Sequence, residues 1–457
     1  MTKVKVGLEI HGYLNMENAK QKLFCECSVS DSVPNTNVCP ICTGQPGNKP
    51  MLPNKEAIDK SIAIGLMLGC NINPKLLFQR KHYSWPDLPN GYQKTMSGSY
   101  ATPVGEKGEF LGIGITEVHL EEDPARWDPV TGCVDYNRSG MPLIEMVTDP
   151  DFDSPDQVRE WLQRLMTTLS YIKAINPDSG VKADVNVNIE GHPRVEVKNV
   201  NSFKSIIKAI EFEIQRQEKV MKSKEKKEQH TRAWDDAKGE TLFMRSKEQA
   251  MEYMFIPEPD LPAIDISDKE IETVQSILPE RPHEKIDTIR SYSVSEIDAK
   301  TIASNLKVAE LFEEIVKAGA DPILTAGSIA RDFLGTLNYS GTGFDEFNVN
   351  PSHYAEIINL QQNNEINEAT GKMLVRKLLK EDFSPKEYVK KEGLESVSDS
   401  KELEKFCKEA IKENPQAVED FKKGESKAFN FLVGKVMAKT RGKATPQEVN
   451  EIMKRLI

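Results

Sequence analysis

Hydrophobic and polar residues alternate in several short segments of the first 265 residues, the pattern of β-strands with one buried face. The clearest segments are VKVGLEIH from residue 4, IGITEVHLEE from 113, VKADVNVNIE from 181 and RVEVKNV from 194. Two longer segments repeat apolar residues every three or four positions, which predicts helices. We therefore expect an α+β fold in this part of the chain.

The first predicted helix has a clear N-terminal signal. Ser154 is the expected N-cap, Pro155 takes the first helical position, and Gln157 is expected to complete a capping box. Its apolar stripe consists of Val158, Leu162, Leu165, Leu169 and Ile172. The second helix is predicted from about Ser202 to Met221, with Phe203, Ile207, Ile210 and Ile214 as its apolar face, and is followed by a charged loop, KSKEKKEQ.

The pattern changes near residue 270 from mixed strands and helices to consecutive helices. The preceding segment FIPEPDLPAID is rich in proline, so we expect it to be extended and to close the first domain. A break near Asn363 suggests a further boundary. The predicted domains are residues 1–290, 291–365 and 366–457, the last two all-α.

Composition narrows the class of protein. The chain has 457 residues, a formal net charge of -11 and 38% hydrophobic residues. The negative charge argues against binding nucleic acid by bulk electrostatics, so any RNA contact must be local. No apolar run is long enough to span a bilayer, and the sequence MTKVKVGLEI lacks a signal-peptide core, so we expect a cytoplasmic protein.

Four of the seven cysteines are clustered: Cys25 and Cys27 form a C-x-C pair, and Cys39 and Cys42 a C-x-x-C pair. Two such pairs can supply the four ligands of a tetrahedral zinc ion, with no position left open for catalysis. The alternative is four unrelated buried cysteines. The remaining cysteines, Cys70, Cys133 and Cys407, stand alone and are expected in the core or on the surface.

Strand alternation also sorts the polar residues onto one face. Glu9 and His11 share a face of the first strand, and each later strand contributes further groups: Glu117, His119, Glu121; Lys182, Asp184, Asn186, Asn188; Arg194, Glu196, Lys198. Carboxylates beside lysines suit Mg²⁺ bound together with a nucleotide phosphate. An ordinary solvated sheet face would alternate in the same way. The sequence contains no G-x-x-x-x-G-K-[ST] motif, which argues against a P-loop site.

A resemblance to a known family rests on landmarks found in one order along the chain. They are GLEIH, the four-cysteine segment, RKHYSWPDLPNGYQ, HLEEDPAR, YNRSGMPLIEMVTDPDF, EVKNVNSF, MRSKEQA, PEPDLP and the tail segment that begins NPQAVEDFKKGESKAFNFLVGKVMAKTRGKATPQEV. From Val6 to the C-terminus the chain resembles the B subunit of the aspartyl/glutamyl-tRNA amidotransferases.

This resemblance implies a fold, a reaction and cofactors. The implied fold is that of glutamine synthetase and the guanido kinases, an antiparallel sheet with helices on one side. The implied reaction uses ATP to convert the side-chain carboxylate of Glu-tRNA(Gln) or Asp-tRNA(Asn) to an acyl phosphate, which ammonia then attacks. Phosphoryl transfer depends on positioning and charge neutralisation, which such a polar face can supply.

The resemblance also implies roles for individual residues. His11, Glu121 and Glu145 are the expected Mg²⁺ ligands, and Glu9 belongs to the same metal and nucleotide site. Asp184 is expected to hold a second metal ion. Lys81 and Lys198 would face phosphate or the activated carboxyl group.

The sequence departs from the family pattern at four positions. Asn90 stands where many members carry lysine, at the expected route of ammonia delivery. Met254 and Ile256 replace an arginine and an aromatic residue, and Lys182 replaces an arginine. The last change keeps the charge but loses the bidentate guanidinium group.

The chain has no amidase-type glycine-serine segment, so ammonia must come from elsewhere. The resemblance implies a glutaminase A subunit and a small C subunit, which would form a heterotrimer with this chain. It also implies that the tail binds tRNA, where Lys435, Lys439, Arg441 and Lys443 cluster; a solvated helix face would look similar.

Two other interpretations compete with this one. An archaeal relative specific for tRNA(Gln) carries an extra synthetase-like insertion, for which there is no room after PEPDLP. The other alternative is a non-catalytic, zinc-containing subunit that binds tRNA or supports assembly.

Overall fold

The computed structural model describes residues 3–18, 20–30, 32–176, 179–223, 227–246, 254–341, 343–344, 346–396, 400–422, 424–440, 444 and 446–457. The chain divides into two compact units, Met1–Arg281 and Pro282–Ile457. Among the described helices, none is long and apolar enough to cross a lipid bilayer.

The strands all lie in the first unit. They are β1 (Val4–Tyr13), β2 (Asn71–Ile72), β3 (Lys75–Leu76), β4 (Gln79–His82), β5 (Tyr92–Thr95), β6 (Gly105–Phe110), β7 (Ile113–Glu122), β8 (Arg126–Trp127), β9 (Val134–Asp135), β10 (Pro142–Thr148), β11 (Val181–Ile189), β12 (Val195–Val200), β13 (His230–Asp235), β14 (Glu240–Ser246), β15 (Met254–Pro257) and β16 (Ile264–Asp265). This count covers the described residues alone.

Twelve of these strands form one sheet. Its order is β14-β13-β12-β11-β1-β10-β7-β5-β4-β15, with β6 also paired to β7 and β2 paired to β6. The pairing is antiparallel except between β12 and β13, which run parallel. The predicted α+β class is confirmed, and this one parallel pair makes the sheet mixed.

Three helices of the first unit, α1 (Lys55–Met67), α2 (Pro155–Tyr171) and α3 (Phe203–Lys222), pack with the sheet around one core. Most of the predicted inward residues of the strands are almost completely buried, at 0–1% exposure: Val6, Leu8, Ile10, Val118, Leu120, Ala183, Val185, Val187, Ile189, Val195 and Val197. Val4 and Val181, each the first residue of its strand, were predicted on the same faces and are partly buried against the core. The predicted strand faces are therefore confirmed, and the opposite face is free to carry polar groups.

Both predicted helices are confirmed to within a few residues. Ser154 caps α2, because its side chain accepts a hydrogen bond from the Gln157 backbone, and Ser202 caps α3 in the same way. The predicted capping box is wrong in one detail. The Gln157 side chain accepts a hydrogen bond from the Asp153 backbone at 2.8 Å, one residue before the N-cap. A fourth helix, α4 (Asp268–Ser276), does have a capping box, from Ser267 and Glu270.

The proline-rich segment FIPEPDLPAID is extended, as predicted, but α4 follows it before the first unit ends at Arg281. β15 pairs with β4, and β16 pairs with β3. Arg80 of β4 donates hydrogen bonds of 2.8 Å from Nε and Nη2 to the two carboxylate oxygens of Glu258. Glu258 belongs to the PEPDLP segment, so this charged fork fixes the segment to the sheet.

The secondary-structure elements described in the second unit are all helices. Its helices are α5 (Pro282–Ser291), α6 (Glu296–Ile302), α7 (Leu306–Lys317), α8 (Pro322–Ser328), α9 (Leu334–Ser340), α10 (Pro351–Gln362), α11 (Glu368–Leu378), α12 (Pro385–Glu392), α13 (Ser400–Glu413), α14 (Pro415–Lys422), α15 (Ser426–Lys439) and α16 (Pro446–Leu456). A π-helical turn, Ile329–Phe333, joins α8 to α9.

The second unit contains two hydrophobic cores, one formed by residues 289–389 and one by residues 403–453. Residues on both sides of position 365, in α10 and α11, belong to the first of these cores. The division into domains 1–290, 291–365 and 366–457 stays a prediction. A boundary near residue 390–400 would separate the two cores more completely.

Candidate active site

Strand register places a row of charged residues across the polar face of the sheet. In β1, His11 lies opposite Lys182 of β11 on one side and opposite Glu145 of β10 on the other. Glu145 in turn lies opposite His119 of β7. Because directly opposed residues in neighbouring strands share a face, residues up to 171 positions apart in sequence become neighbours.

Two of these residues, His11 and Glu145, form a candidate metal-binding cluster with Glu121 of β7. Ligand atoms of His11, Glu121 and Glu145 all lie within 4.8 Å of one another. The distance from His11 Nε2 to Glu145 Oε2 is 3.2 Å, close to the spacing of about 3 Å between adjacent ligands in octahedral Mg²⁺ coordination. One imidazole and two carboxylates this close together could hold a divalent cation, with coordination positions left for water or phosphate.

A second acidic cluster lies along the same face. Oxygen atoms of Glu9, Asp184 and Glu196 also lie within 4.8 Å of one another. Lys198 Nζ lies 2.6 Å from Asp184 Oδ2 and 2.9 Å from Glu196 Oε1. Asn186 donates a hydrogen bond of 3.0 Å to Glu9. The lysine partly compensates the three carboxylates, and a cation would compensate them further.

The charges of these groups are strongly coupled. Burial opposes a charged His11, but the carboxylates of Glu145 and Glu121 outweigh it and raise the pKa of His11 to about 9. The pKa of Glu145 is lowered well below its usual value, because His119 and His11 outweigh the effect of burial. Burial raises the pKa of Glu9, and the neighbouring charges of Glu145 and Asp184 raise it further. Imidazole and carboxylate charges therefore stabilise one another on this face.

The residues beside these clusters line a pocket of about 640 Å³, within the usual size range of small-molecule sites. His11, Glu121 and Asp184 line this pocket, together with Lys182 and Lys198. Arg245 is a further cation in the lining. Acidic metal ligands beside cationic side chains are suited to a metal-nucleotide complex.

A β-bulge shapes one wall of the pocket. Between two paired positions, Ala183 with Val200 and Val185 with Val197, strand β12 contains one more residue than β11. Asn199 lies in this bulge at a φ of 65°. Because of the extra residue, Val197 and Val200 are both buried, whereas Lys198 and Asn199 line the pocket.

A hydrogen-bonded group forms another part of the lining. The Tyr13 hydroxyl donates to Asp123 Oδ2 at 2.5 Å, and Arg138 Nε lies 2.9 Å from the same oxygen. Burial raises the pKa of Asp123 to about 6, against the opposing charge of Arg138. These residues connect the YNRSGMP segment to the pocket wall.

The four clustered cysteines come together as the spacing suggested. Their sulfur atoms all lie within 4.8 Å of one another. The sulfur of Cys42 is 3.9 Å from that of Cys39 and 4.0 Å from that of Cys27, close to the distance of about 3.8 Å that tetrahedral Zn–S bonds impose. The cluster therefore fits a zinc ion and supplies all four ligands.

A buried lysine accompanies this cluster. Lys22 is 1% exposed, and its Nζ lies 3.4 Å from Cys42 Sγ and 3.1 Å from the Tyr136 carbonyl oxygen. Hydrogen bonds from Cys25, the Cys39 backbone and Lys22 lower the pKa of the Cys42 thiol. A cationic partner stabilises the thiolate form that a metal requires.

The single cysteines differ in environment. Cys70 and Cys407 are buried and Cys133 is exposed. This agrees with their expected places in the core or on the surface.

Lys81 and Asn90 lie outside the row of charged residues. Lys81 lies in β4 opposite Gln93 and Phe255 and is half-buried, and it is not among the residues that line the pocket. Asn90 lies beside Gly44 of the cysteine cluster: a Cβ on Gly44 would approach the Pro89 carbonyl oxygen to 2.5 Å and Asn90 Oδ1 to 2.9 Å. Glycine is required there, because Gly44 also has a φ of 64°.

The expected tRNA-binding cluster is described in part. Lys435 and Lys439 lie one turn apart on α15, whereas Arg441 and Lys443 are outside the described residues. Lys439 Nζ lies 2.6 Å from Glu413 and 3.3 Å from Glu409 of α13, so acidic neighbours balance its charge. Lys435 lies over the Phe431 ring, 5.1 Å from its centroid.

Sequence reasoning gave no role to three residues of the site: His119, Glu196 and Asp123. His119 and Glu196 had been placed on the polar face by alternation, but which strands are neighbours is a tertiary property. Asp123 lies just beyond β7, where alternation ends. The acidic sequence HLEED, which ends at Asp123, was the one feature of the sequence that could have indicated a role for this residue.

Comparison with known proteins defines the class of this chain. Residues 4–272 match the family model described as "GatB/GatE catalytic domain", and residues 310–457 match the "GatB domain". Relatives named as the B subunit of aspartyl/glutamyl-tRNA(Asn/Gln) amidotransferase include proteins of Methanococcus maripaludis, Methanocaldococcus jannaschii and Methanothermobacter thermautotrophicus. The Methanococcus maripaludis protein is 43% identical to this chain, the Methanocaldococcus jannaschii protein 44% and the Methanothermobacter thermautotrophicus protein 40%. Each match covers 99% of this chain and, in the same order, 98%, 97% and 100% of the relative.

These matches place the chain in the class of tRNA-dependent amidotransferase subunits. More particularly, the chain belongs to the family of aspartyl/glutamyl-tRNA(Asn/Gln) amidotransferase B subunits. The resemblance stated from sequence landmarks is confirmed.

Proposed function

We propose that this chain is the carboxyl-activating subunit of a glutamine-dependent aminoacyl-tRNA amidotransferase. It amidates the glutamate of Glu-tRNA(Gln), the aspartate of Asp-tRNA(Asn), or both. The observation that carries this proposal is the convergence of His11, Glu121 and Glu145, whose ligand atoms lie within 4.8 Å of one another. His11 and Glu121 also line a pocket to which Lys182 and Lys198 contribute. Membership of the family supplies the choice of substrate.

The proposed reaction has two steps. In the first, a side-chain carboxylate oxygen attacks the γ-phosphorus of ATP, forming an acyl phosphate and releasing ADP. In the second, ammonia attacks the acyl carbon, phosphate leaves with one of the original carboxylate oxygens, and the amide remains on the tRNA. A carboxylate alone is a poor electrophile, so the first step makes the second possible.

In this proposal, His11, Glu121 and Glu145 bind one Mg²⁺, and Glu9, Asp184 and Glu196 offer a site for a second. Bound magnesium would neutralise negative charge on the nucleotide phosphates. Lys198 lies within 3 Å of two carboxylates of the second cluster.

Lysine side chains on this face have a related role in the proposal. Lys198 exchanges part of its ion pairing for a phosphate oxygen when the nucleotide binds. Lys182, opposite His11, adds a second positive charge to the wall. Lys81 lies on β4 and does not line the pocket. Its side chain would have to extend from that strand to contact the substrate.

Ammonia is proposed to come from a glutaminase A subunit, with a C subunit completing a heterotrimer. The relatives are named as B subunits, which supports an assembly of several chains. Asn90, in place of the lysine common in the family, lies beside Gly44. An ammonia route that needs a cationic side chain at position 90 is absent from this chain.

The remaining proposals concern zinc, tRNA and location. The four-cysteine site is structural, because all four ligand positions are taken by the protein.

Residues after about 366 bind tRNA outside the acceptor end, through its phosphates and its shape. The candidate contacts are Lys435, Lys439, Arg441 and Lys443. The protein acts in the cytoplasm, where misacylated tRNA is available.

Reconstitution tests the function. The chain is combined with A and C subunits and supplied with glutamine, ATP and each misacylated tRNA, and amide formation on tRNA is measured beside glutamine hydrolysis. We expect His11→Ala and Glu121→Gln to abolish amide formation while glutamine hydrolysis is retained. Full amide formation by both variants would instead favour the alternative, a non-catalytic subunit that binds zinc and tRNA.

A further inference from the structure

The pocket has an aromatic side as well as a charged side. Trp85 and Tyr83 both line it, on the loop that follows β4. Trp85 is 53% exposed, whereas Trp161 and Trp234 are 3% and 7% exposed. It is the most exposed of the four tryptophans, all of which the structure describes.

Contacts of Trp85 and of its loop restrict where this ring can lie. Its ring meets the ring of Trp127 edge to face, with centroids 5.7 Å apart and an interplanar angle of 61°. The loop is held to the segment that leads to Trp127 by a backbone hydrogen bond of 2.8 Å from Ala125 to Asp87. Gly44 approaches the same loop closely at Pro89.

An isolated exposed aromatic residue would need no explanation. Trp85 differs, because it lines the pocket that contains His11 and Glu121. Lys182 and Arg245 supply positive charge to the same lining. An exposed, oriented aromatic ring beside cationic groups is the arrangement with which proteins bind nucleotide bases, by stacking on the ring and by charge on the phosphates.

We propose that the Trp85 ring stacks on an adenine base of a substrate held in this pocket. The inference rests on the proposed function, which brings two adenine-containing molecules to the site: ATP and the tRNA, whose chain ends in adenosine. The chemistry recognised is the same in both cases. The source of the base is decided by experiment.

The test uses the reconstituted complex with Trp85→Ala and Trp85→Phe. Tyr339→Ala is the matched control, because Tyr339 is 95% exposed and lies in the second unit. Dissociation constants for ATP and for uncharged tRNA are measured by equilibrium binding, so the result does not depend on turnover. We expect Trp85→Ala to weaken one of the two by about 5- to 100-fold, Trp85→Phe to weaken it less, and Tyr339→Ala to change neither.

Two further comparisons identify the source. If the base belongs to ATP, Trp85→Ala also reduces the preference for ATP over CTP. If it belongs to tRNA, Trp85→Ala removes the difference in affinity between tRNA with and without its terminal adenosine. Either result supports the proposal.

Unchanged affinity for both ligands would overturn the proposal. So would a loss of assembly with the A subunit at unchanged ligand affinity, since Trp85 would then be a partner contact. Failure of the proposed function can be told apart from failure of the Trp85 proposal. It would appear as an absence of ATP-dependent amide formation in the wild-type complex, whatever effect Trp85→Ala has on binding.

Discussion

His119 Nε2 lies 3.0 Å from Glu145 Oε2, at a position where the imidazole is only 1% exposed. Its other ring nitrogen, Nδ1, lies 3.1 Å from Glu117 Oε1. Neither ring nitrogen forms a well-aligned hydrogen bond, so charge and close packing hold the ring between the two carboxylates. This arrangement places His119 next to Glu145, behind the proposed metal ligands, where we expect it to orient that carboxylate.

The first prediction concerns this positioning. His119→Asn should lower the affinity for Mg²⁺ or Mn²⁺ by about 10- to 100-fold, since partners behind a metal ligand fix its orientation. Electron paramagnetic resonance of free Mn²⁺ during titration of the complex measures the affinity directly. His353→Asn is the control, because His353 pairs with Asp382 in the second unit. Unchanged Mn²⁺ affinity in folded His119→Asn would show that Glu145 needs no such support.

The second prediction concerns the buried lysine of the cysteine cluster. Lys22→Met should speed the loss of zinc to a chelator and lower zinc affinity by about 10- to 100-fold, because the thiolates lose their cationic partner. Release is followed with a colorimetric zinc indicator. Lys75→Met serves as control, as Lys75 is exposed and pairs loosely with Asp265 at 3.6 Å. Equal release rates in the two variants would contradict the role given to Lys22.

Thiol reactivity provides a third prediction. Burial raises the pKa values of Cys70 and Cys407 to about 11, so at pH 8 about one thousandth of each is thiolate. In the folded, zinc-loaded protein, Ellman's reagent at pH 8 should react rapidly with exposed Cys133 alone. Chelation of zinc should add the four clustered thiols. Four further rapid thiols before chelation would mean that the cluster holds no metal.

The pH dependence of this reaction has a definite sign. Thiolate is the reactive form, so the reactivity of Cys70 and Cys407 should increase as pH rises toward 11. Mass spectrometry of the labelled peptides distinguishes these residues from Cys133. Rapid labelling of Cys407 at pH 8 would mean that its core opens readily.

A fourth prediction concerns the fork between Arg80 and Glu258. Arg80→Lys should reduce the free energy of unfolding by about 1–3 kcal/mol, because lysine cannot make both hydrogen bonds to the nearly inaccessible carboxylate. Denaturant unfolding followed by circular dichroism measures the change. Arg159→Lys is the control, since Arg159 and its partner Asp156 are exposed. A loss of equal size in the control would contradict the argument from burial.

Much of this fold could be predicted from the sequence, because alternation and helical periodicity are local properties. The inward faces of β1, β7, β11 and β12 and the caps of α2 and α3 follow from such signals. The order of strands in the sheet does not. It places Glu145 between His11 and His119, and only family resemblance had linked Glu145 to His11.

Two details were beyond local reasoning for different reasons. The bulge that turns Asn199 toward the pocket depends on pairing with β11, although the spacing of Val195, Val197 and Val200 already departs from strict alternation. The pairing of Lys439 with Glu409 and Glu413 depends on how α13 packs against α15. The basic tail cluster was identified by sequence proximity alone, which does not reveal acidic neighbours from another helix.

The central claim is that this chain activates the tRNA-bound carboxylate as an acyl phosphate. Its most direct test uses misacylated tRNA whose glutamate side-chain carboxylate is labelled with ¹⁸O, given to the reconstituted complex with ATP and ammonia. We expect each phosphate released to carry one ¹⁸O atom from the carboxylate, and Glu121→Gln to abolish this transfer. Amide product formed together with unlabelled phosphate would contradict the claim.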